Sequence, residues 1–154
     1  MSPASSPILH VIANDIRSRE NVGAILRTCE FLGVHKLWVT GYTPTPEDVK
    51  VHKVSLGAEV MVDWEQCLDV REVFAKLTQD GFRLIGLEID ERAIELTDYQ
   101  TPMRAALLLG NEVLGIPPSL RDSCDDLVMI ERRGKKASLN VAVATGIACW
   151  SLLH

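Results

Sequence analysis

Short apolar runs alternate along this chain with longer segments whose apolar residues recur at helical spacing. The runs predict six strands, since each is mostly apolar and bounded by polar or turn-forming residues; they cover residues 8–12, 36–40, 60–64, 82–87, 105–109 and 127–130. The other segments predict helices over residues 21–32, within 47–54, over 69–80 and 117–123, and after 138. Strands that alternate with helices indicate an α/β fold, with a mostly parallel sheet and helices on both faces.

Polar residues and glycines indicate where the first and last helices begin and end. Asn21 and Ser138 are predicted to cap them, because the side-chain oxygen of such residues accepts from free N–H groups of the first turn. Gly33 is predicted to end the first helix. Gly23 and Arg27 are stacked on one face of that helix. A glycine inside a helix costs stability relative to alanine, so we expect a ligand or another backbone to pass close to this face.

The last helix carries no charged residue between 138 and 153. A helix that is apolar on every side is buried all round or lies in a membrane. At about 16 residues it falls short of the roughly 20 that span a bilayer, so we predict no membrane role. We expect a buried helix, with part of its surface covered by a second subunit. The preceding loop is basic and lies beside a helix N-terminus, where anions bind.

Composition places the chain among ordinary globular proteins. With 154 residues, 47% of them hydrophobic and 24% charged, it is expected to form a single cytoplasmic domain over residues 1–154, loosely ordered at residues 1–7. The net charge of −5 argues against non-specific coating of nucleic acid, although local basic sites stay open. The four widely spaced cysteines predict reduced, mostly buried thiols. The four histidines lack metal-ligand spacing, so no metal site is predicted.

Three loops rich in glycine, asparagine and charge follow predicted strands or precede helices. They cover residues 14–27, 110–117 and 131–140. Ligands of parallel sheets bind beyond the carboxyl ends of the strands. In the middle loop, Gly110 and Gly115 suit a backbone that wraps closely around a flat ligand. Taken alone, this loop matches neither of the common phosphate-binding glycine motifs.

Together the three loops carry a more specific pattern. It reads Asn21-x-Gly23-x-x-x-Arg27, then Gly110-Asn111-Glu112-x-x-Gly115-Ile116-Pro117, then Ser138-Leu139-Asn140-Val141-Ala142. In order and spacing these segments resemble the three motifs of the SpoU/TrmH-type RNA ribose 2′-O-methyltransferases of the SPOUT class, over nearly the whole chain. The resemblance implies a C-terminal deep trefoil knot in the α/β sheet, S-adenosylmethionine as cofactor, and a homodimer formed through the C-terminal helix. Such enzymes often carry an extra RNA-binding domain, but 154 residues leave no room for one, so we expect substrate selection to come from the surface of the catalytic domain itself.

The resemblance further implies a role for each motif residue. Arg27 would lie next to the ribose 2′-hydroxyl; because a guanidinium stays protonated in proteins, it suits alkoxide stabilisation or phosphate binding better than proton removal. Asn21 would position Arg27 or the ribose, and Glu112 would pair with Arg27 or Asn21. Ser138 and Asn140 would hold the last loop and orient the substrate. Cofactor contacts would come from Leu109, Gly110, Asn111, Gly115, Ile130, Ser138 and Leu139, and RNA phosphate contacts from Arg17, Arg19, Arg132, Arg133, Lys135 and Lys136.

Plainer interpretations of the same residues stay open. Arg27 would then be a solvated helix residue, Ser138 and Asn140 helix caps, and the basic cluster a solvated loop. The predicted activity is methyl transfer to a ribose of tRNA or rRNA. The alternative is a non-catalytic RNA-binding or assembly factor with the knotted fold, against which the intact polar motif residues argue. A general nucleotide-binding protein is disfavoured, because the phosphate-loop motifs are absent.

Overall fold

A computed structural model of the protein describes residues 5–154, so part of the N-terminal segment predicted to be loosely ordered lies outside the described residues. Seven strands form one parallel sheet in the order β3-β2-β1-β6-β4-β7-β5. Their bounds are β1 Ile8–Asn14, β2 Lys36–Thr40, β3 Trp64–Cys67, β4 Arg83–Leu87, β5 Ile94–Glu95, β6 Arg104–Leu109 and β7 Asp126–Met129. The predicted parallel sheet is confirmed.

Helices cover both faces of the sheet, as predicted. Alternate residues of β1 point to opposite faces: Val11 packs in a core with Leu26, and Ile12 in a second core with Leu77. The first core joins helices α1, α2 and α5, and the second joins α3 and α4. The helices are α1 Arg19–Leu32, α2 Val49–Ser55, α3 Val70–Gln79, α4 Pro118–Ser123 and α5 Val141–Leu153.

One predicted strand was misplaced and one strand was missed, both at the edges of the sheet. Of the strand predicted over residues 60–64, only Trp64 lies in a strand: Ala58–Val60 is a single 3-10 turn, and Val60 is 82% exposed. The strand in this region is β3, the outermost strand on that side, with exposed polar residues that mask its period. The short strand β5, at the other edge, was not predicted. Edge strands are buried on fewer sides, so their apolar signal is weaker.

Both predicted helix caps were displaced along the chain. Helix α1 is capped by Ser18, whose hydroxyl accepts from the N–H of Asn21 at 3.1 Å. Helix α5 is capped by Asn140 rather than Ser138, because the Asn140 side chain accepts from the N–H groups of the next turn at 2.9 and 3.1 Å. Gly33 ends α1 in the left-handed region with φ 76°, as predicted.

The close approach predicted at Gly23 is confirmed, and the approaching element is helix α2. A Cβ atom on Gly23 would lie 2.6 Å from the Cβ of Val54 and 2.9 Å from the carbonyl oxygen of Val51. Neither atom belongs to a flexible side-chain end, so a larger residue would push the helices apart. Glycine here therefore permits the tight packing of α1 on α2.

Helix α5 is buried on only one side within a single chain. Thr145, Ala148, Cys149 and Leu152 are buried, whereas Val143, Ile147 and Trp150 are 52%, 43% and 57% exposed. The all-round burial expected from its composition is thus absent from one chain, and coverage by a second subunit stays a prediction. No helix in residues 5–154 is long and apolar enough to cross a bilayer. All four cysteines are free thiols, two of them buried.

Candidate functional site

A cavity of about 710 Å³ opens at the carboxyl ends of β4, β6 and β7. This volume is within the usual range for pockets that hold small ligands, and the location is where parallel sheets bind them. Its walls come from the ends of the three strands, from the loop before α5 and from the first turns of α5. The lining covers residues 87–89, 109–115, 129–132 and 134–139, together with Val141 and Ala144.

The fold brings all seven residues predicted to contact a cofactor into this one cavity. Although they are spread over three segments of the sequence, each of them lines the wall. Glu112 lines it as well, as do three of the predicted RNA-binding residues. The seven are Leu109, Gly110, Asn111, Gly115, Ile130, Ser138 and Leu139.

The loop after β6 is closed on itself by paired backbone hydrogen bonds. The N–H of Asn111 donates to the carbonyl of Gly115 at 3.1 Å, and the N–H of Gly115 donates back at 2.9 Å. A Cβ on Gly110 would lie 2.5 Å from the backbone of Gly115, and Gly115 itself has φ 68°. A side chain at Gly110 would therefore collide with the loop backbone, and Gly115 adopts a left-handed conformation that favours glycine.

The Asn111 side chain ties this loop to the sheet. Its oxygen accepts from two N–H groups of the loop, both at 2.9 Å. Its amide donates at 2.8 Å to the carbonyl of Asp15, just after β1, and at 2.8 Å to the hydroxyl of Tyr42, just after β2. The sequence motif included Asn111 but gave no signal for Tyr42, because that contact joins distant parts of the chain.

Glu112 connects the β6 loop to the start of helix α1. Its two carboxylate oxygens accept from the backbone N–H groups of Arg17 and Ser18, both at 2.8 Å, and one also accepts from the Asn21 amide at 3.1 Å. Partial burial by itself would raise the pKa of Glu112, but these N–H donors outweigh it and hold the pKa below its usual value. Glu112 is therefore a carboxylate at neutral pH.

Asn140 extends this network to the third loop. Its amide donates to the side-chain oxygen of Asn21 at 3.1 Å. Asn21 thus lies between Glu112 and Asn140, and the three side chains join all three motif loops. Of the two pairings predicted for Glu112, the one with Asn21 is present within a single chain, and the one with Arg27 is not formed within residues 5–154 of that chain.

Arg27 lies outside the cavity, in a separate shallow groove between α1, α2 and α5. The groove is lined by Arg27 together with Phe31, Leu56, Met61 and Gly146. Within residues 5–154 the Arg27 side chain forms no hydrogen bond or ion pair, and it is exposed. One chain by itself therefore does not bring Arg27 together with the cavity.

The predicted RNA-binding residues divide into two groups. Arg132, Lys135 and Lys136 line the cavity on an exposed loop and lie outside the ion pairs of residues 5–154. Arg133 pairs with the carboxylate of the neighbouring Glu131 at 3.1 Å, and Arg19 pairs with Asp48 at 2.7 Å. Arg17 contributes its backbone N–H to Glu112. The positive rim of the cavity thus depends on the first group.

Glu88 is a cavity residue that sequence reasoning missed. It follows β4 directly and accepts from the N–H of Ile116 at 2.7 Å. Its position after a buried strand was the available signal, although no motif included it. Among residues 5–154 no three His, Cys, Asp or Glu side chains converge as a metal site.

Comparisons with known proteins give one consistent family. The SpoU rRNA Methylase family matches residues 8–150. The tRNA (guanosine(18)-2′-O)-methyltransferase TARBP1 of Mus musculus is 34% identical over 147 residues, which cover 92% of this chain and 9% of that protein. The 23S rRNA (guanosine-2′-O-)-methyltransferase RlmB of Neisseria meningitidis is 31% identical over 143 residues, which cover 93% of this chain and 57% of that protein. The chain thus spans only part of the length of these relatives.

Solved structures show the same fold. The SpoU methyltransferase AviRb of Streptomyces viridochromogenes, in complex with the cofactor AdoMet, superposes with a TM-score of 0.87 at 27% identity, covering 98% of this chain and 58% of that one. A chain of similar length, from a study of 2-OH methylation of C/U34 on tRNA, superposes with a TM-score of 0.84 at 24% identity. That match covers 95% of this chain and 94% of that one.

Proposed function

Because the chain belongs to the SpoU rRNA methylase family, we propose that it transfers a methyl group from S-adenosylmethionine to a ribose 2′-hydroxyl of tRNA or rRNA. The observation that carries this proposal is the convergence of the three motif loops: the middle and last loops line one cavity, and the Glu112–Asn21–Asn140 network joins them to the first. Relatives named as guanosine 2′-O-methyltransferases of tRNA and rRNA support the substrate class.

The residues of the cavity fit this cofactor. Leu109, Ile130 and Leu139 give an apolar surface for the adenine ring, while Glu88 and Glu112 place negative charge in the lining of a site for a cationic ligand. When bound, the cofactor supplies a methyl group already activated by its sulfonium. The chain then has to align the ribose oxygen with that methyl group, which is the larger part of the acceleration.

Arg27 is proposed to stabilise negative charge on the ribose oxygen or to hold the adjacent phosphate. Its groove also contains Gly146 of α5, and this glycine lies beside the exposed apolar residues of that helix. A homodimer formed through α5 would therefore place Arg27 at the subunit interface, where a second copy can bring the two parts of the site together.

The homodimer is supported by the apolar surface around this groove. Phe31, Leu56 and Met61 on its walls are 85%, 70% and 71% exposed, and the exposed side of α5 adds Ile147 and Trp150. Contiguous exposed apolar surface of this kind marks interaction sites. The expected mass in sedimentation is that of two chains.

Trp150→Glu is expected to reduce that mass to one chain, because it buries a charge in the interface. The matched control is Leu68→Asp, which changes a 73% exposed apolar residue next to β3, away from α5. A wild-type protein that sediments as a single chain at micromolar concentration would exclude the dimer.

We further propose that the C-terminal part forms the deep trefoil knot implied by the family. Two observations support it. The sheet places β4 between β6 and β7, so the chain returns across its own earlier segment. The loops after these three strands then enclose one cavity before α5 packs back onto α1.

The RNA is proposed to meet the basic rim formed by Arg132, Lys135 and Lys136. Each phosphate contact releases counterions, so the affinity for RNA should fall steeply as salt rises. Lys135→Ala combined with Lys136→Ala is expected to weaken RNA binding and to reduce the salt dependence by about two contacts. Filter binding over a salt series measures both quantities.

The activity itself is tested with labelled S-adenosylmethionine and total RNA. After digestion, we expect the label in 2′-O-methylnucleosides. Arg27→Ala should abolish transfer and leave cofactor binding intact, whereas Arg71→Ala, an exposed arginine at the start of α3, should retain both. Cofactor binding by wild-type protein without label in any RNA would favour the non-catalytic alternative.

A further inference from the structure

Glu88 lies at the carboxyl end of β4, in the wall of the cavity. Its backbone N–H donates to the carbonyl of Val128 at 3.0 Å, so the residue is held where β4 and β7 run side by side. The side chain is half-buried, between the apolar neighbours Leu87 and Ile89. A carboxylate is thus fixed in the lining by the sheet itself.

One carboxylate oxygen of Glu88 is committed to the closed loop after β6. Oε2 accepts from the N–H of Ile116 at 2.7 Å. A Cβ atom on Gly115 would lie 2.4 Å from this same oxygen, so the carboxylate packs directly against the loop backbone. Glu88 therefore holds the loop in the conformation that forms one side of the cavity.

The other oxygen, Oε1, has no donor or cation within residues 5–154. It takes part in none of the hydrogen bonds or ion pairs of the described chain. Arg132, Lys135 and Lys136 line the same cavity, and none of them forms an ion pair with Glu88 in residues 5–154. A half-buried polar atom normally has a hydrogen-bond partner, and Glu88 lines the cavity in which a ligand could supply one.

We propose that Glu88 is a cofactor-binding residue, whose Oε1 accepts hydrogen bonds from the ribose hydroxyls of S-adenosylmethionine while Oε2 holds the Ile116 N–H. This inference rests on the proposed function, which supplies the ligand. An acidic side chain beside the carboxyl end of a parallel strand is well placed to bind the ribose of an adenosine cofactor. The same residue would then fix both the loop and the nucleoside that the loop encloses.

The test is calorimetric and needs no turnover. Wild-type protein and Glu88→Gln are titrated with S-adenosylhomocysteine, with 5′-methylthioadenosine, and with the 2′-deoxy and 3′-deoxy forms of the latter. Glutamine keeps an oxygen for the Ile116 N–H but turns its NH₂ group, a donor, toward the ribose. Glu91→Gln is the matched control, because Glu91 is an exposed carboxylate outside the lining of the cavity.

We expect wild-type protein to bind 5′-methylthioadenosine at least about 10-fold more tightly than one of its deoxy forms, as for a hydrogen bond to a charged acceptor. In Glu88→Gln this preference should disappear, and the intact ligands should bind about 10-fold or more weakly. Glu91→Gln should retain the preference. Together these results support the assignment.

Three results would overturn it. Equal binding of the intact and deoxy ligands by wild-type protein excludes a ribose contact. A preference that persists in Glu88→Gln limits that residue to the loop. Loss of affinity for S-adenosylhomocysteine but not for 5′-methylthioadenosine assigns Glu88 to the amino-acid end of the cofactor. If wild-type protein binds none of the ligands, the proposed cofactor itself is wrong, which is a different failure from any of these three.

Discussion

The connection between the β6 loop and helix α1 depends on Glu112, and its contribution can be measured at two backbone amides. Glu112→Ala removes the acceptor for the N–H groups of Arg17 and Ser18 and for the Asn21 amide. A hydrogen bond to a charged group contributes about 1.5–3 kcal/mol. Because Arg17 is exposed, water can replace part of the stabilisation that these bonds provide. We therefore expect the three bonds together to contribute about 2 kcal/mol to the stability of this connection.

Native-state hydrogen exchange reports this free energy directly. Since about 1.4 kcal/mol corresponds to a factor of 10, the amides of Arg17 and Ser18 should exchange about 30-fold faster in Glu112→Ala. Glu91→Ala, at an exposed carboxylate, is the control and should leave both rates unchanged. The pKa of Glu112 is lowered in the folded protein, so this stabilisation is present at neutral pH and is lost as the pH falls through the folded pKa.

Unchanged exchange of these two amides in a folded Glu112→Ala protein would refute the reasoning. It would mean that the carboxylate is solvated and that the loops are held together by other contacts. Accelerated exchange across the whole of α1 would also disagree with it, since the three bonds lie at the helix start alone.

Three further predictions concern stability. Gly23→Ala should lower the free energy of unfolding, measured by urea titration, by about 1–3 kcal/mol. Alanine normally favours helices, but its Cβ at this position would collide with helix α2. The control is Gly134→Ala, where the added Cβ would point into open space, and it should change the free energy of unfolding by less than about 0.5 kcal/mol. Asn140→Ala removes the N-cap of α5 and should lower the free energy of unfolding, measured by thermal unfolding, by about 0.5–2 kcal/mol. Asn140→Asp keeps a capping oxygen and should retain most of that stability. Burial, with Lys36 nearby, lowers the pKa of His10 to about 4, so the unfolded chain binds a proton more readily than the folded protein. The free energy of unfolding should therefore fall by about 1–2 kcal/mol as the pH is lowered from 6.5 to 4. In His10→Gln this dependence on pH should be weaker.

The order of helices and strands in the central sheet could be predicted because those strands are buried on both faces. Their apolar runs are continuous, as in β6, whose residues 105–109 are all buried. The edge strands β3 and β5 lack that signal, so one was displaced and the other was missed. The pattern of apolar residues therefore predicts strands that are buried, and it does not predict strands at the exposed edges of the sheet.

The residues that line the cavity could also be predicted from the sequence, but the hydrogen bonds between the three motif loops could not. The motif loops come from local sequence, and all seven predicted cofactor residues line the cavity. The bonds from Glu112 to Arg17 and Asn21 cross more than 90 residues of chain. They arise because β1 and β6 are neighbours in the sheet, and that pairing is a property of the folded chain.

The displaced helix caps have the same origin, and Asn140 shows how one side chain can both cap a helix and contact another motif loop. Near the start of α5 both Ser138 and Asn140 suit a cap, and a hydroxyl or an amide oxygen serves equally well. An amide also has a separate donor group. The Asn140 oxygen accepts from two N–H groups of α5, while its NH₂ group donates to Asn21. Asn21 in turn is occupied by Glu112 and Asn140, which leaves the cap of α1 to Ser18. The start of α5 is thus capped by one of the side chains that join the three loops, whereas Ser18 caps α1 and its backbone N–H donates to Glu112.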